Sequence, residues 1–226
     1  VAYNDRELGR FLEALATRVP PEETLLAVTS DHGEELFDHG GVLHGYTLYE
    51  ELLHVPLVLR WPGTVRPAER TEPTDALDLH ATLVDLAGAL GRVPTAGRSL
   101  LPLLTGREDL PDCLLFAAAP GVEGGVHAVR DGPWKLIRVP GTPRSWAMGV
   151  RRARSWQREY LFDLAADPGE RRNLAGLGGP REAWLRARLA AWIQERRPAD
   201  DAPPLAPEEP LDEETRRRLR ALGYLD

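Results

Sequence analysis

The chain has 226 residues, 42% of them hydrophobic, enough to bury a core and to form one large domain or one and a half smaller ones. Its formal net charge of -7 argues against non-specific attraction to nucleic acid or to an acidic membrane, and it favours a small molecule or a protein as partner. The single cysteine, Cys113, excludes an internal disulfide and leaves a metal only oxygen and imidazole donors, and no apolar run reaches the roughly 18 residues that a membrane-spanning helix needs.

The chain starts without Met, and the first residues do not read as a signal peptide. Residues 4 to 17 are expected to be helical, with Leu8, Phe11, Leu12 and Leu15 on one face and Asn4 and Glu7 spaced as a capping box. Because it begins inside a helix, the chain is read as a piece of something longer. After the breaker VPPEE, the run TLLAVTSD reads as a buried strand whose C-terminal end delivers Asp31. A second strand is expected over Val55 to Trp61, and between the two lies a loop followed by a short helix near Tyr46 to Leu53. The next helix, TDALDLHATLVDLAGAL, is capped by Thr74 or Asp75 and carries Leu79, Leu83, Leu86 and Leu90 on one face. The order helix, strand, loop, strand, helix is that of an α/β fold, in which ligands gather at the carboxyl ends of strands.

From about Pro94 the texture changes. DCLLFAAA, VHAVRDGPWKLIRVP and REYLFDL are short strands between Gly, Pro and Asp turns. REAWLRARLAAWIQERR is a helix with Trp184, Leu185, Leu189, Trp192 and Ile193 as its apolar stripe. This half reads as a small antiparallel sheet covered by a helix, followed by a linker rich in Pro and acids and a last short helix.

The chemistry concentrates in TSDHGEELFDHGGVLHG, Thr29 to Gly45, which holds three of the six histidines. Asp31 and His32 pair a carboxylate with an imidazole, a donor set that a hard or borderline divalent cation accepts, and Gly33 would let the backbone turn close to the ion. A capping Asp31 and a surface His32 are the plain alternative. His39 and His44 are candidates for a supporting shell, a second metal or an anion contact. His44 ranks higher, because the helix after it would aim its N-terminus at the site. His54 and His80 sit on apolar segments and are expected to be core or interface histidines. Glu34, Glu35 and Asp38 are expected to form a solvated acidic rim. The cluster Arg144 to Arg158, with Trp146 and Trp156, reads as a solvated hairpin loop or an anion-attracting surface. Cys113 is expected to be a small core residue, without a neighbour in sequence that would activate it.

Taken together, the segments resemble the sulfatase family of the alkaline-phosphatase-like superfamily, in its C-terminal half. VTSDHGEELFDHGG followed by HGYTLYEELLHVPLVLRWPG looks like the family's stretch from metal-ligand strand to the next strand. DALDLHATLVDLAG resembles its DLxPTLLDLAG helix, with Ala81 in place of the usual Pro. GRSLLPLLTG, AVRDGPWKLI, YLFDLAADPGERRNLAG and LRALGYL are similar to further family motifs, so the resemblance covers nearly the whole chain.

The resemblance implies a mixed sheet flanked by helices, then a small α+β subdomain with a four-stranded antiparallel sheet and a helix. It divides the chain into residues 1-110, the later part of the α/β domain, 111-198, the small subdomain, and 199-226, the linker and terminal helix. It implies hydrolysis of sulfate monoesters by a formylglycine hydrate, with a divalent metal, calcium in the family pattern, and a small anionic substrate. Asp31 and His32 match metal ligands, and His44 occupies the place of a Lys that contacts the sulfate and the leaving-group oxygen. No C/S-x-P-x-R motif is present, so the formylglycine is expected upstream, in a missing N-terminal half, and the chain alone is expected to be inactive. Two rival readings stay open: a phosphatase, phosphodiesterase or phosphonate hydrolase using zinc or manganese, with His44 on a second metal, and a non-catalytic binding module.

Overall fold

A computed structural model describes residues 2–107, 112–119, 125–139, 159–196 and 212–221. The Arg144 to Arg158 cluster, the linker rich in Pro and acids and the last five residues lie outside the described residues. Packing divides the chain into two compact units, Val1–Ala191 and Trp192–Asp226.

Helix α1 spans Ala2–Ala16. It starts before Asn4, so Asn4 lies inside the helix rather than at its cap, and no residue of the helix is buried. A 3-10 turn at Pro21–Glu23 leads into β1, Leu26–Thr29, which pairs antiparallel with β4, Leu57–Arg60, Thr29 lying opposite Leu57. Along both strands half-buried and exposed side chains alternate, so neither is the fully buried strand that the sequence suggests. Among the described residues these two strands form a ribbon of their own, and a ribbon can cover only one face. Between them, β2, Glu35–Leu36, and β3, Val42–Leu43, make a small hairpin, and α2, Glu50–Leu53, forms a single helical turn.

Helix α3, Ala76–Leu86, is capped by Asp75, whose carboxylate accepts from the amides of Leu77 and Asp78 at 2.9 and 3.0 Å. The face it buries is Asp78, Ala81 and Thr82, whereas Leu83 and Leu90 of the expected apolar face are exposed. Polar anchors explain the reversal. Asp78 accepts from the Arg98 amide at 2.7 Å and from its guanidinium at 2.8 Å. The Thr82 hydroxyl accepts from the Leu100 amide, and the Ser99 hydroxyl donates to Asp85. The segment leading into α4, Leu101–Thr105, is thereby laced along one side of α3.

Strands β5, Leu114–Ala119, β6, Val126–Asp131, β7, Trp134–Arg138, and β8, Glu159–Asp163, form an antiparallel sheet in that order. Alternation along the strands gives it two faces. Ala128, Ile137 and Phe162 share a core with Leu48, and Tyr49 packs against it, so the segment after the third histidine is seated on this sheet. Helix α5, Gly179–Glu195, buries Leu185 and Leu189 and is tied to the strands by Arg186 on Glu159 and Arg181 on Asp131. Trp184 of its expected stripe is substantially exposed. Helix α6, Glu213–Ala221, starts at Asp212, which accepts from the Thr215 amide at 2.8 Å.

Candidate functional site

Asp31 and His32 follow β1 directly, as a strand-end site requires. The Ser30 hydroxyl donates to the carbonyl of His32, and the His32 amide donates to Asp31 Oδ1 at 3.0 Å. The second hydrogen bond, reinforced by the Asp31 amide, holds the Asp31 carboxyl below the usual carboxylate range, so it stays ionised in neutral solution. His32 Nδ1 lies 2.7 Å from the carbonyl oxygen of Gly33. A carbonyl only accepts, so Nδ1 carries a proton, and in the neutral ring Nε2 keeps its lone pair. That lone pair sits 3.8 Å from Asp31 Oδ2. Two donor atoms, one carboxylate oxygen and one imidazole nitrogen, therefore lie side by side on an open surface, and an imidazole tethered through its other nitrogen is the usual state of a ligating histidine. Among the described residues no group of three or more His, Cys, Asp or Glu side chains could hold a metal ion, so the pair fits part of a ligand set.

His44 stacks on His32 with ring centroids 4.0 Å apart and an interplanar angle of 29°. Its Nδ1 lies 3.4 Å from both carboxylate oxygens of Glu34, which leaves Nε2 to face outward. The structure thus brings all three sequence candidates, Asp31, His32 and His44, to one rim.

The supporting groups differ from expectation. Glu35 is not part of a solvated rim: it is only 3% exposed, accepts from the Thr47 hydroxyl at 2.9 Å and the Gly41 amide at 3.1 Å, and burial pushes its carboxyl up. Glu34 and Asp38 are exposed as expected. His39 is nearly covered and holds no open position. Its Nδ1 meets Glu51 Oε1 at 2.5 Å, its Nε2 meets the carbonyl of Glu170 at 3.2 Å, and its ring lies flat on Tyr49 at 3.7 Å. Burial raises the Tyr49 phenol, which stays neutral. His54 and His80 are exposed rather than core residues, because α2 ends at His54 and α3 turns its polar face inward. Cys113 is half-buried, and burial pushes its thiol up despite Arg98 nearby.

Two expectations about local geometry also change. The N-terminus of α2 is not open to an incoming anion, since the Glu50 amide already donates to Glu170 Oε2 at 2.6 Å. Gly33 is required by packing rather than by an ion: a Cβ there would stand 2.0 Å from the carbonyl oxygen of Glu51.

Sequence reading missed the inner layer under this rim. Lys135, 1% exposed, lies 2.8 Å from Glu50 Oε1 and 2.8 Å from Glu170 Oε1. The Lys135–Glu170 contact is an ion pair between two buried groups. Arg130 reaches the other oxygen of Glu50 at 3.1 Å, and Arg171 donates to the carbonyl of Asp38. Burial raises the Glu170 carboxyl while Lys135 draws it back. The signals available in the sequence were a lysine inside an apolar strand and an acid in the DPGERRNL turn.

Comparisons with known proteins point to one family. The sequence profile of the family described as Sulfatase matches residues 1–89. The chain is 33% identical over 178 residues to choline-sulfatase of Rhizobium meliloti (strain 1021), covering 77% of this chain and 31% of that protein. It is 32% identical over 191 residues to human arylsulfatase A, covering 76% of this chain and 37% of the relative. Its fold superposes on the phosphonate monoester hydrolase of Agrobacterium radiobacter with a TM-score of 0.60 and 26% identity, over 84% of this chain and 38% of that one. The chain spans about a third of the length of the curated relatives it matches. With the Asp31–His32 strand end inside the matched residues, the chain belongs to the sulfatase family and carries its alkaline-phosphatase-like, mixed α/β fold.

Proposed function

We propose that the chain supplies one wall of a site that hydrolyses sulfate monoesters, in which Asp31 and His32 help to hold a divalent cation, calcium first, and His44 meets the ester. The observation that carries this reading is the tethered His32, with Nε2 turned beside an ionised Asp31. A bound cation would act there as a Lewis acid on the anionic ester oxygens. Asp31 contributes charge to the cation, and the Gly33 carbonyl fixes the ring of His32. Glu34 and the His32 ring orient His44 so that its Nε2, when the ring is protonated, can donate to an ester oxygen or protonate the leaving oxygen. No C/S-x-P-x-R motif occurs in the 226 residues, so the nucleophile is not among them.

The chain on its own is expected to bind calcium weakly and to leave an aryl sulfate intact. A calcium titration followed by the NMR signals of the histidine rings checks the first point, with Asp31→Asn and His32→Ala each removing the response. Turnover of the aryl sulfate by the purified chain, or calcium binding indifferent to both substitutions, would overturn the reading.

A second reading has its own support. Two imidazoles stacked 4.0 Å apart, together with the likeness to a phosphonate monoester hydrolase, favour a phosphate or phosphonate ester with zinc or manganese. In that case His44→Ala should abolish zinc binding, whereas under the first reading it leaves the calcium response in place.

A further inference from the structure

Glu170 is the point from which the structure reaches both histidines of the rim. Its carboxylate accepts from the Glu50 amide at 2.6 Å and so fixes the start of α2. Helix α2 in turn grips the residue next to His32: the Gly33 amide donates to the Leu52 carbonyl at 2.9 Å, and Gly33 lies so close to Glu51 that no side chain fits between them. The Glu170 carbonyl meets His39 Nε2 at 3.2 Å, and His39 stands between the two strands of the hairpin whose far end is Leu43, the neighbour of His44. Arg171 adds a bond to the Asp38 carbonyl beside it. To direct carboxylate and carbonyl at the same segment, Glu170 adopts φ +51°, a left-handed conformation that disfavours side chains other than glycine. The carboxylate is itself held by Lys135 in the sheet.

We infer that Glu170 is a positioning residue for the site: anchored by Lys135, it sets His32 through α2 and His44 through His39, so the small antiparallel sheet decides whether the two rings meet. This rests on the proposed function only for its chemical consequence; the ring contact stands independently.

The test uses the full 226-residue chain as wild type, Glu170→Gly and Glu170→Gln, with three readouts: the nuclear Overhauser contact between the His32 and His44 rings, the calcium midpoint at His32, and amide exchange in β6 and β7 as a control of the fold. Glycine relieves the backbone conformation but removes the carboxylate. That variant should lose the ring contact and raise the calcium midpoint about tenfold, as loss of a ligand-orienting partner does, while the strands stay protected. Glutamine keeps an oxygen for the Glu50 amide but loses the charge opposite Lys135, and should restore the contact in part. The inference is overturned if the wild type shows no ring contact, if the glycine variant behaves as wild type, if the contact disappears only together with strand protection, or if a folded glutamine variant loses it as fully as the glycine one. A wild type that binds no calcium, but whose rings part in the glycine variant, defeats the proposed function and leaves the positioning role standing.

Discussion

Glu35 shows how one side chain converts burial into pH dependence. Its carboxyl is covered, with the Thr47 hydroxyl and Gly41 amide as donors, and burial raises it above its unfolded value. The folded chain therefore binds this proton more tightly than the unfolded chain does. The stability it contributes is fully present below the ordinary carboxylate range and is lost as pH rises through the raised folded value. Glu35→Gln should raise the melting temperature at neutral pH and give no advantage near pH 4, about where both forms are neutral. Thermal melts at the two pH values check it, and an equal effect at both would refute the assignment. Phe37, at φ +69° and exposed, stores a different kind of cost, since a left-handed non-glycine residue on a surface is conformationally disfavoured.

Among the elements, α3 shows that a stripe of leucines is not always the face that a helix buries. Asp78, Thr82 and Asp85, spaced four and three apart, accept from or clasp the Arg98 to Leu100 segment, and this polar lacing outranks the leucine face. The approach is close enough that a Cβ on Gly97 would fall 2.1 Å from the backbone of Leu77. Gly97→Ala should therefore cost about 2 kcal/mol or more in urea unfolding, well beyond an ordinary surface change. A loss within about 0.5 kcal/mol would mean that the segment can move away freely. These elements also mark what could be read in advance. The helices at residues 76 to 86 and 179 to 195 and the strand before Asp31 follow from periodicity, and the grouping of Asp31, His32 and His44 follows from their shared segment and the family resemblance. The roles of Glu35, His39 and Gly33 do not, because each depends on a partner brought in by packing. Glu170, the partner of His39, lies 131 residues away.

At the scale of the molecule, the described residues expose their large apolar side chains unevenly. Tyr3, Phe11, Leu36, Phe37, Val58, Leu77 and Leu90 are each about half exposed or more, and only Leu177 and Trp184 join the exposed set after Val93. Surfaces of this kind promote association. The isolated chain is expected to bind an apolar dye and to sediment as a concentration-dependent mixture, and Leu77→Gln with Leu83→Gln should reduce both with little change in melting temperature. A strictly monomeric chain that ignores the dye would contradict this. The β1–β4 ribbon belongs to the same picture: its apolar sequence reads as buried strands, yet among the described residues it is only half covered.

The long reach from Glu170 to His39 has a consequence in time as well as in space. Contacts that close so large a loop form late, after local helices and hairpins. On a ribosome, Asp31 and His32 would emerge well before the turn that steadies them, and the strand end would wait with its imidazoles unset until the DPGERRNL turn had been synthesised and docked. A pause or a cut in translation between β7 and that turn would leave a polypeptide with every candidate ligand in its sequence and none yet held in place.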